Sequence, residues 1–204
     1  MNTELETNTA NHKISAKTRF SIVAVALVAF MGILAETSLN VTFPTLEKTF
    51  GLPLSTVQWV TTAYLLVVAI VMPTSSYISQ RFQNRTLFFS GLIFFTLGDL
   101  LSLISPNFTI LMAGRLIQGI GTGIAIPLMF NLVLTKIPRE RVGLWMGFAG
   151  MILSIAPALG PTYGGLLTGT LGWRMIFAII LIIPICLFPL GAWAIEKSEK
   201  KRTR

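Results

Sequence analysis

Six apolar runs, each long enough to cross a bilayer, constrain this chain more than any other feature. They cover residues 20–44, 57–78, 87–105, 108–134, 143–168 and 173–195, and about 20 apolar residues at a helical rise suffice for a hydrocarbon core about 30 Å thick. Hydrocarbon offers no partner to a backbone amide, so each run must be a helix that satisfies its own N–H and C=O groups. The composition agrees, with 53% hydrophobic and 12% charged residues, about half the charged share of a soluble domain. The first run is too long for a signal peptide and is retained as a span. Residues 1–19 are polar and lack the apolar content to pack, which makes a disordered tail. Residues 196–204, EKSEKKRTR, form a second basic tail or the start of a linker.

The 16 Lys and Arg outnumber the 8 Asp and Glu, but they sit in short segments between the spans rather than in a patch that could follow nucleic acid. Their distribution sets topology instead. With the amino terminus inside, the inner segments hold Lys13, Lys17 and Arg19, then Arg81 and Arg85, then Lys136, Arg139 and Arg141, and finally Lys197, Lys200, Lys201, Arg202 and Arg204. The outer segments hold only Lys48 and Arg174, and Arg115 lies within a span. Both termini are therefore expected in the cytoplasm, with the plasma membrane as the site. The single cysteine, Cys186, cannot form a disulfide within the chain. The single histidine, His12, lies in the tail, which removes His-based nucleophile pairs and HExxH zinc sites from the membrane region. No enzyme and no cofactor are expected.

Within this apolar frame the segment Gly114–Pro127, GRLIQGIGTGIAIP, stands out. Arg115 is the one charge between Asp99 and Lys136, and a lone guanidinium in hydrocarbon costs about 3 kcal/mol or more. Arg115, Gly119, Gly123 and Pro127 recur every four residues, which puts three positions of close backbone approach on the charged face. That face must meet protein. The turn before this span is only Pro106 and Asn107, so spans three and four are antiparallel neighbours. Counting helical rise places Arg115 about 10 Å, Asp99 about 9 Å and Glu36 about 14 Å below the outer ends of their spans. Glu36 and Asp99 are then the acids able to neutralise Arg115. One cation facing two carboxylates leaves one of them available to carry a proton. Asp99 also fits a purely structural pair with Arg115 across the tight turn. Asn40, one turn beyond Glu36, and the adjoining Thr37 extend a polar patch along the first span.

The fifth span carries GFAGMILSIAPALGPTYGG, from Gly147 to Gly165. Ala156, Gly160 and Gly164 form a small-residue ridge on which another helix can sit, while Pro157 and Pro161 each remove a ladder hydrogen bond. Packing alone explains the small residues. The two prolines favour a kinked element able to act as a gate.

These residues together resemble the major facilitator superfamily. Arg115, Gln118, Gly119, Gly121 and Gly123 are similar to its fourth-helix RxxQGxGxG pattern. Gly147, Gly160, Pro161, Gly164 and Gly165 are similar to its fifth-helix antiporter signature, with Ala156 replacing an earlier glycine. Glu36, Thr37, Asn40, Val41 and Pro44 resemble the first-helix pattern of the fourteen-span drug:proton antiporter branch, although that pattern's aspartate falls on Ala35. Trp173, Arg174, Ile176 and Phe177 match its sixth-helix entry. The loop between spans two and three departs from the family: of GxLaDRxGRR only Arg81 and Arg85 remain, and Ser76, Gln80 and Gln83 stand where glycine, aspartate and glycine are usual.

The resemblance implies an all-α, polytopic membrane bundle of six helices in two inverted three-helix repeats, one half of a major facilitator fold. It further implies proton-coupled export of small amphipathic or cationic compounds, in which Glu36, Arg115 and Asp99 serve proton coupling. Asn40, Thr37 and Gln118 would line the cavity, and the fifth-span motif with Pro157 would gate. The partners implied are the substrate, protons, the lipid bilayer and a second six-helix half, supplied by a continuation of the chain or by a homodimer. The altered loop and the half length also fit a non-transporting remnant that only associates with other membrane chains. A six-span channel has less support, because no filter-like re-entrant segment is present.

Overall fold

The computed structural model describes residues 15–79 and 81–194. The tails expected at 1–19 and 196–204 lie outside these residues, except for Ser15 to Arg19. Among the described residues the chain is helical throughout, with no strand. Its elements are α1 (Ala16–Asn40), α2 (Phe43–Phe50), α3 (Leu54–Val57), α4 (Trp59–Ile78), α5 (Asn84–Ile104), α6 (Phe108–Lys136), α7 (Arg139–Thr170) and α8 (Arg174–Ala194). Six helices are long and apolar enough to cross a membrane, the second of them formed by α3 and α4 together.

Two boundaries differ from the hydropathy reading for visible reasons. α1 starts at Ala16, because the basic residues Lys17 and Arg19 continue the helix past the apolar run. It also stops at Asn40, and the chain re-enters a separate short helix with Pro44 in its first turn, where a missing N–H costs nothing. Gly51 closes that helix with φ 63°, a left-handed conformation that glycine adopts without strain.

α6 is the central post. It packs against α5 and α4 along most of its length and against α1 on a third side, while α7 and α8 lean mainly on α1 and α5. The α5–α6 seam is built of glycine. A Cβ at Gly121 would lie 2.5 Å from the Phe95 amide nitrogen and 2.6 Å from the Gly91 carbonyl, and Gly98 lies against the backbone of Gly114 and Gln118 in the same way. Helices in lipid gain no hydrophobic drive from meeting one another, so close backbone approach must supply the attraction. The Gly119 and Gly123 face turns to α4, where added Cβ atoms would meet Tyr64, Val67 and Val71. Asn107 accepts a hydrogen bond from the Ile110 amide at 2.9 Å, an N-cap that fixes the tight turn between α5 and α6.

A large apolar core fills the bundle, and a smaller cluster of Leu39, Leu46, Val57, Val60, Leu111, Trp173 and Phe177 closes the end where α2 and α3 lie. Arg174 ties that end together by donating to the Ser105 carbonyl at 2.7 Å while stacking on Trp173.

Candidate functional site

The side chain of Arg115 is fully buried at the centre of the bundle. Its Nη1 donates to Oε1 of Gln118, one turn along α6, and Gln118 Nε2 donates to Asp99 Oδ1 on α5 at 2.8 Å. A guanidinium holds donors only, so the amide must turn its oxygen to Arg115 and its nitrogen to the carboxylate. The result is a directed chain of cation, amide and acid. Tyr64 on α4 closes the other side, with its ring centroid 3.9 Å from the guanidinium carbon. A desolvated cation–π contact of this kind is worth about 2 kcal/mol. The Tyr64 hydroxyl in turn donates to the Gly32 carbonyl of α1 at 2.9 Å and lies 2.9 Å from Thr122 Oγ1. Four helices thus meet at one arginine.

Of the two acids expected to neutralise Arg115, Asp99 meets it through Gln118 and not directly. Arg115 Nε and Nη2 and Asp99 Oδ2 are buried without a hydrogen-bond partner, and Gln118 stands between the two charges. Asp99 and Arg115 lie on facing helices held close by Gly98 and Gly114, and the guanidinium lies against the Tyr64 ring of α4. Gln118 and Asp99 are both fully buried, and Gln118 bridges the two charges inside this half.

Glu36 is half-buried on α1, one helical turn from Asn40 and with Arg115 within electrostatic range. Asn40 is exposed. Thr37, expected in the same polar patch, is turned elsewhere: its hydroxyl donates to the Ile33 carbonyl at 2.9 Å, and the side chain fills the space beside Gly160 of α7. Thr37 is a packing residue here. The structure therefore brings Arg115, Gln118, Asp99 and, at longer range, Glu36 into one region, and it separates Thr37 from them.

The fifth-span residues divide into two faces of α7. Ala156, Gly160 and Gly164 are buried against α1, where a Cβ at Gly160 or Gly164 would collide with Thr37 or Ser38. Gly147, Pro157, Pro161 and Gly165 lie on the exposed side, and a Cβ at Gly147 or Gly165 would meet nothing within 4 Å. α7 is helical without interruption through both prolines. Arg81, in the turn after α4, is exposed and lies over the Tyr77 ring, and Arg85, in the first turn of α5, is half-buried and lies over the Phe89 ring.

Tyr64 and Thr122 are the site residues that sequence reasoning missed. The available signal was chemical: a tyrosine in an apolar span has a hydroxyl that must find a partner, and Thr122 lies one turn from Gln118.

These features define a polytopic helical membrane protein with an intramembrane charge site. The chain belongs to the Major Facilitator Superfamily, whose family model matches residues 25–204, and it groups with transporters rather than enzymes. It is 41% identical over 160 residues to the lincomycin resistance protein LmrB of Bacillus subtilis, a match that takes in 78% of this chain and 33% of that protein. It is 38% identical over 182 residues to the MFS-type transporter YhcA of the same organism, covering 85% of this chain and 34% of the relative. Identity to the multidrug resistance protein B homolog of Mycobacterium tuberculosis is 34% over 166 residues, with 81% and 31% covered. The chain thus spans about a third of the length of the curated relatives it matches. The fold is similar to the crystal structure of a bacterial homolog of the human lysosomal transporter Spinster in an inward-facing, unoccupied conformation. That similarity has a TM-score of 0.76 at 15% identity and covers 90% of this chain and 44% of the other.

Proposed function

We propose that this chain is one six-helix half of a proton-coupled exporter of small amphipathic or cationic compounds. It lies in the plasma membrane with both ends in the cytoplasm and works together with a second six-helix half. The observation that carries this reading is the buried Arg115–Gln118–Asp99 chain with half-buried Glu36 in electrostatic range. An intramembrane cation facing two acids is a functional arrangement by default, since a packing role needs no charge. Glu36 is the better exchanging acid, because it is partly exposed while Asp99 is sealed. In this scheme Glu36 gives up a proton on one side of the membrane and regains it on the other, beside the charge of Arg115. Asp99 and Gln118 hold the guanidinium in place. The exposed face of α7, with Pro157, Pro161, Gly147 and Gly165, is where the second half closes and parts during alternating access. Kinship with resistance proteins for lincomycin and for multiple drugs supports the substrate class.

The test is proton-driven accumulation of a fluorescent cation such as ethidium in everted vesicles that contain the chain. Wild type should accumulate the dye when a proton gradient is imposed, and Glu36→Gln should abolish accumulation without lowering the amount of folded protein. Full accumulation by Glu36→Gln removes Glu36 from the mechanism. A second reading, a non-transporting interaction partner, is favoured by the low burial of α7, which buries only 5 of its 32 residues. Cross-linking in the same vesicles distinguishes the two: a dimer that accumulates dye supports the exporter, and an inert chain bound to other membrane proteins supports the partner.

A further inference from the structure

α4 and α5 follow one another in sequence and both pack along α6, yet they scarcely touch each other. Between them runs a cleft of about 360 Å³, with Ile120 and Ile124 of α6 as its floor and Val71, Ile78, Phe82 and Ser90 on its walls. The lining is apolar in effect, because Ser90 and Thr74, which also borders the cleft, donate their hydroxyls back to carbonyls of their own helices, Leu87 and Ile70. The cleft ends at the loop that carries Arg81, between the lining residues Ile78 and Phe82, and Arg85, next to the lining residue Thr86.

No acid lies near these two arginines in sequence. The chain carries no Asp or Glu between Glu47 and Asp99, and Asp99 is buried in the Gln118 bridge. Arg81 donates Nη2 to the Tyr77 hydroxyl at 3.1 Å and lies 5.4 Å from that ring, while Arg85 lies 5.8 Å from the Phe89 ring. Those contacts hold the guanidinium planes at the end of the bundle and leave further donors on each. An apolar cleft inside the membrane that ends in two guanidinium groups at its surface, each with donors to spare, is complementary to one kind of molecule.

We propose that this cleft binds an anionic phospholipid, with an acyl chain along Ile120 and Ile124 and the phosphate held by Arg81 and Arg85. The inference needs only that the chain spans a bilayer, and it is independent of the transport scheme. Guanidinium groups suit phosphate because two parallel N–H donors match two oxygens, and basic pockets between spans are a recurrent means of holding anionic headgroups. A zwitterionic lipid would enter the same cleft with less gain, because its own cation offsets the phosphate.

The test is native mass spectrometry of the purified full chain in mild detergent, with phosphatidylglycerol or phosphatidylcholine of identical acyl chains. One phosphatidylglycerol should remain bound with about 10- to 30-fold preference over the choline lipid, given about one tenfold step or less for each basic residue. The double variant Arg81→Gln, Arg85→Gln should lose that preference, and Ser90→Trp should displace the lipid by filling the cleft. Should Ser90→Trp not fold, as judged by circular dichroism, Thr86→Phe at the exposed mouth makes the same block. Equal retention of both lipids, or undiminished preference in the double variant, overturns the proposal. So does retention in both blocking variants, which would place the lipid on the surface, and so does displacement by millimolar inorganic phosphate, which would mark a plain anion site. A change of oligomeric state on blocking, with lipid retention unaltered, would assign the cleft to a second copy and equally overturn it.

Discussion

α6 and α7 are the two longest helices, and both are rich in glycine and interrupted in sequence by proline, yet they are used in opposite ways. α6 buries 14 of its 29 residues, whereas α7 buries 5 of its 32. The glycines of α6 face neighbours on two sides, Gly114 and Gly121 toward α5 and Gly119 and Gly123 toward α4, with the polar chain of Arg115 and Gln118 enclosed between. α7 spends Ala156, Gly160 and Gly164 on α1 and leaves Gly147 and Gly165 facing open space. Small residues therefore mean different things according to what sits opposite them. In α6 they permit a fixed junction around a charge. In α7 they fix one edge and leave the other face unoccupied, which is what a surface that meets and leaves a partner requires.

The sharpest way to break this contrast is to add bulk at matched positions. Gly121→Leu should prevent α5 and α6 from closing and cost more than the roughly 1 to 3 kcal/mol usual for an overpacked core, because backbone rather than a flexible side chain opposes it. The expected outcome is loss of monodisperse protein on size-exclusion chromatography. Gly160→Leu should be milder, about 1 to 3 kcal/mol, since α7 can tilt away from α1 without disturbing α6. Chemical unfolding in mixed micelles should show it as a lowered midpoint with α6 still protected from hydrogen exchange. If Gly160→Leu proves as damaging as Gly121→Leu, α7 is part of the fixed core and the contrast fails.

Smaller substitutions sharpen the same comparison. Tyr64→Phe keeps the ring under Arg115 and removes a hydroxyl bonded to Gly32, so it should cost about 1 kcal/mol, the usual net worth of one hydrogen bond. A loss several times larger would show that the hydroxyl and not the ring holds the arginine. Gly165→Ala faces open space and should leave stability unchanged or raise it by up to about 1 kcal/mol, because alanine favours helix over glycine. A destabilised Gly165→Ala in the isolated chain would mean that this face is already covered.

The number of spans and the small-residue ridge of the fifth span were legible in the sequence, because bilayer thickness and helical period act directly on residue order, but the ridge's partner α1 was not. The sequence also carried the presence of Arg115, Asp99 and Glu36 in one region for the same reason. It did not carry the identity of the group that holds Arg115. Gln118 and Thr37 are both uncharged polar residues within apolar runs, and only the rotation of each helix decides that Gln118 bridges two charges while Thr37 packs beside Gly160. The need of Tyr64 for a partner was legible, but not its place against Arg115, which is on another helix, 51 positions along the chain. The unequal burial of α6 and α7 was hidden too, since both present the same composition.

The central claim is that Arg115 is held inside the half through Gln118. A double-mutant cycle of Arg115→Met and Gln118→Met, read as unfolding free energies in bicelles, tests it most directly. The account predicts that the two losses are not additive, with an interaction energy of about 1 to 3 kcal/mol, as for residues sharing one buried network. Losses that add to within about 0.5 kcal/mol would mean that the guanidinium does not depend on the amide, and would contradict it.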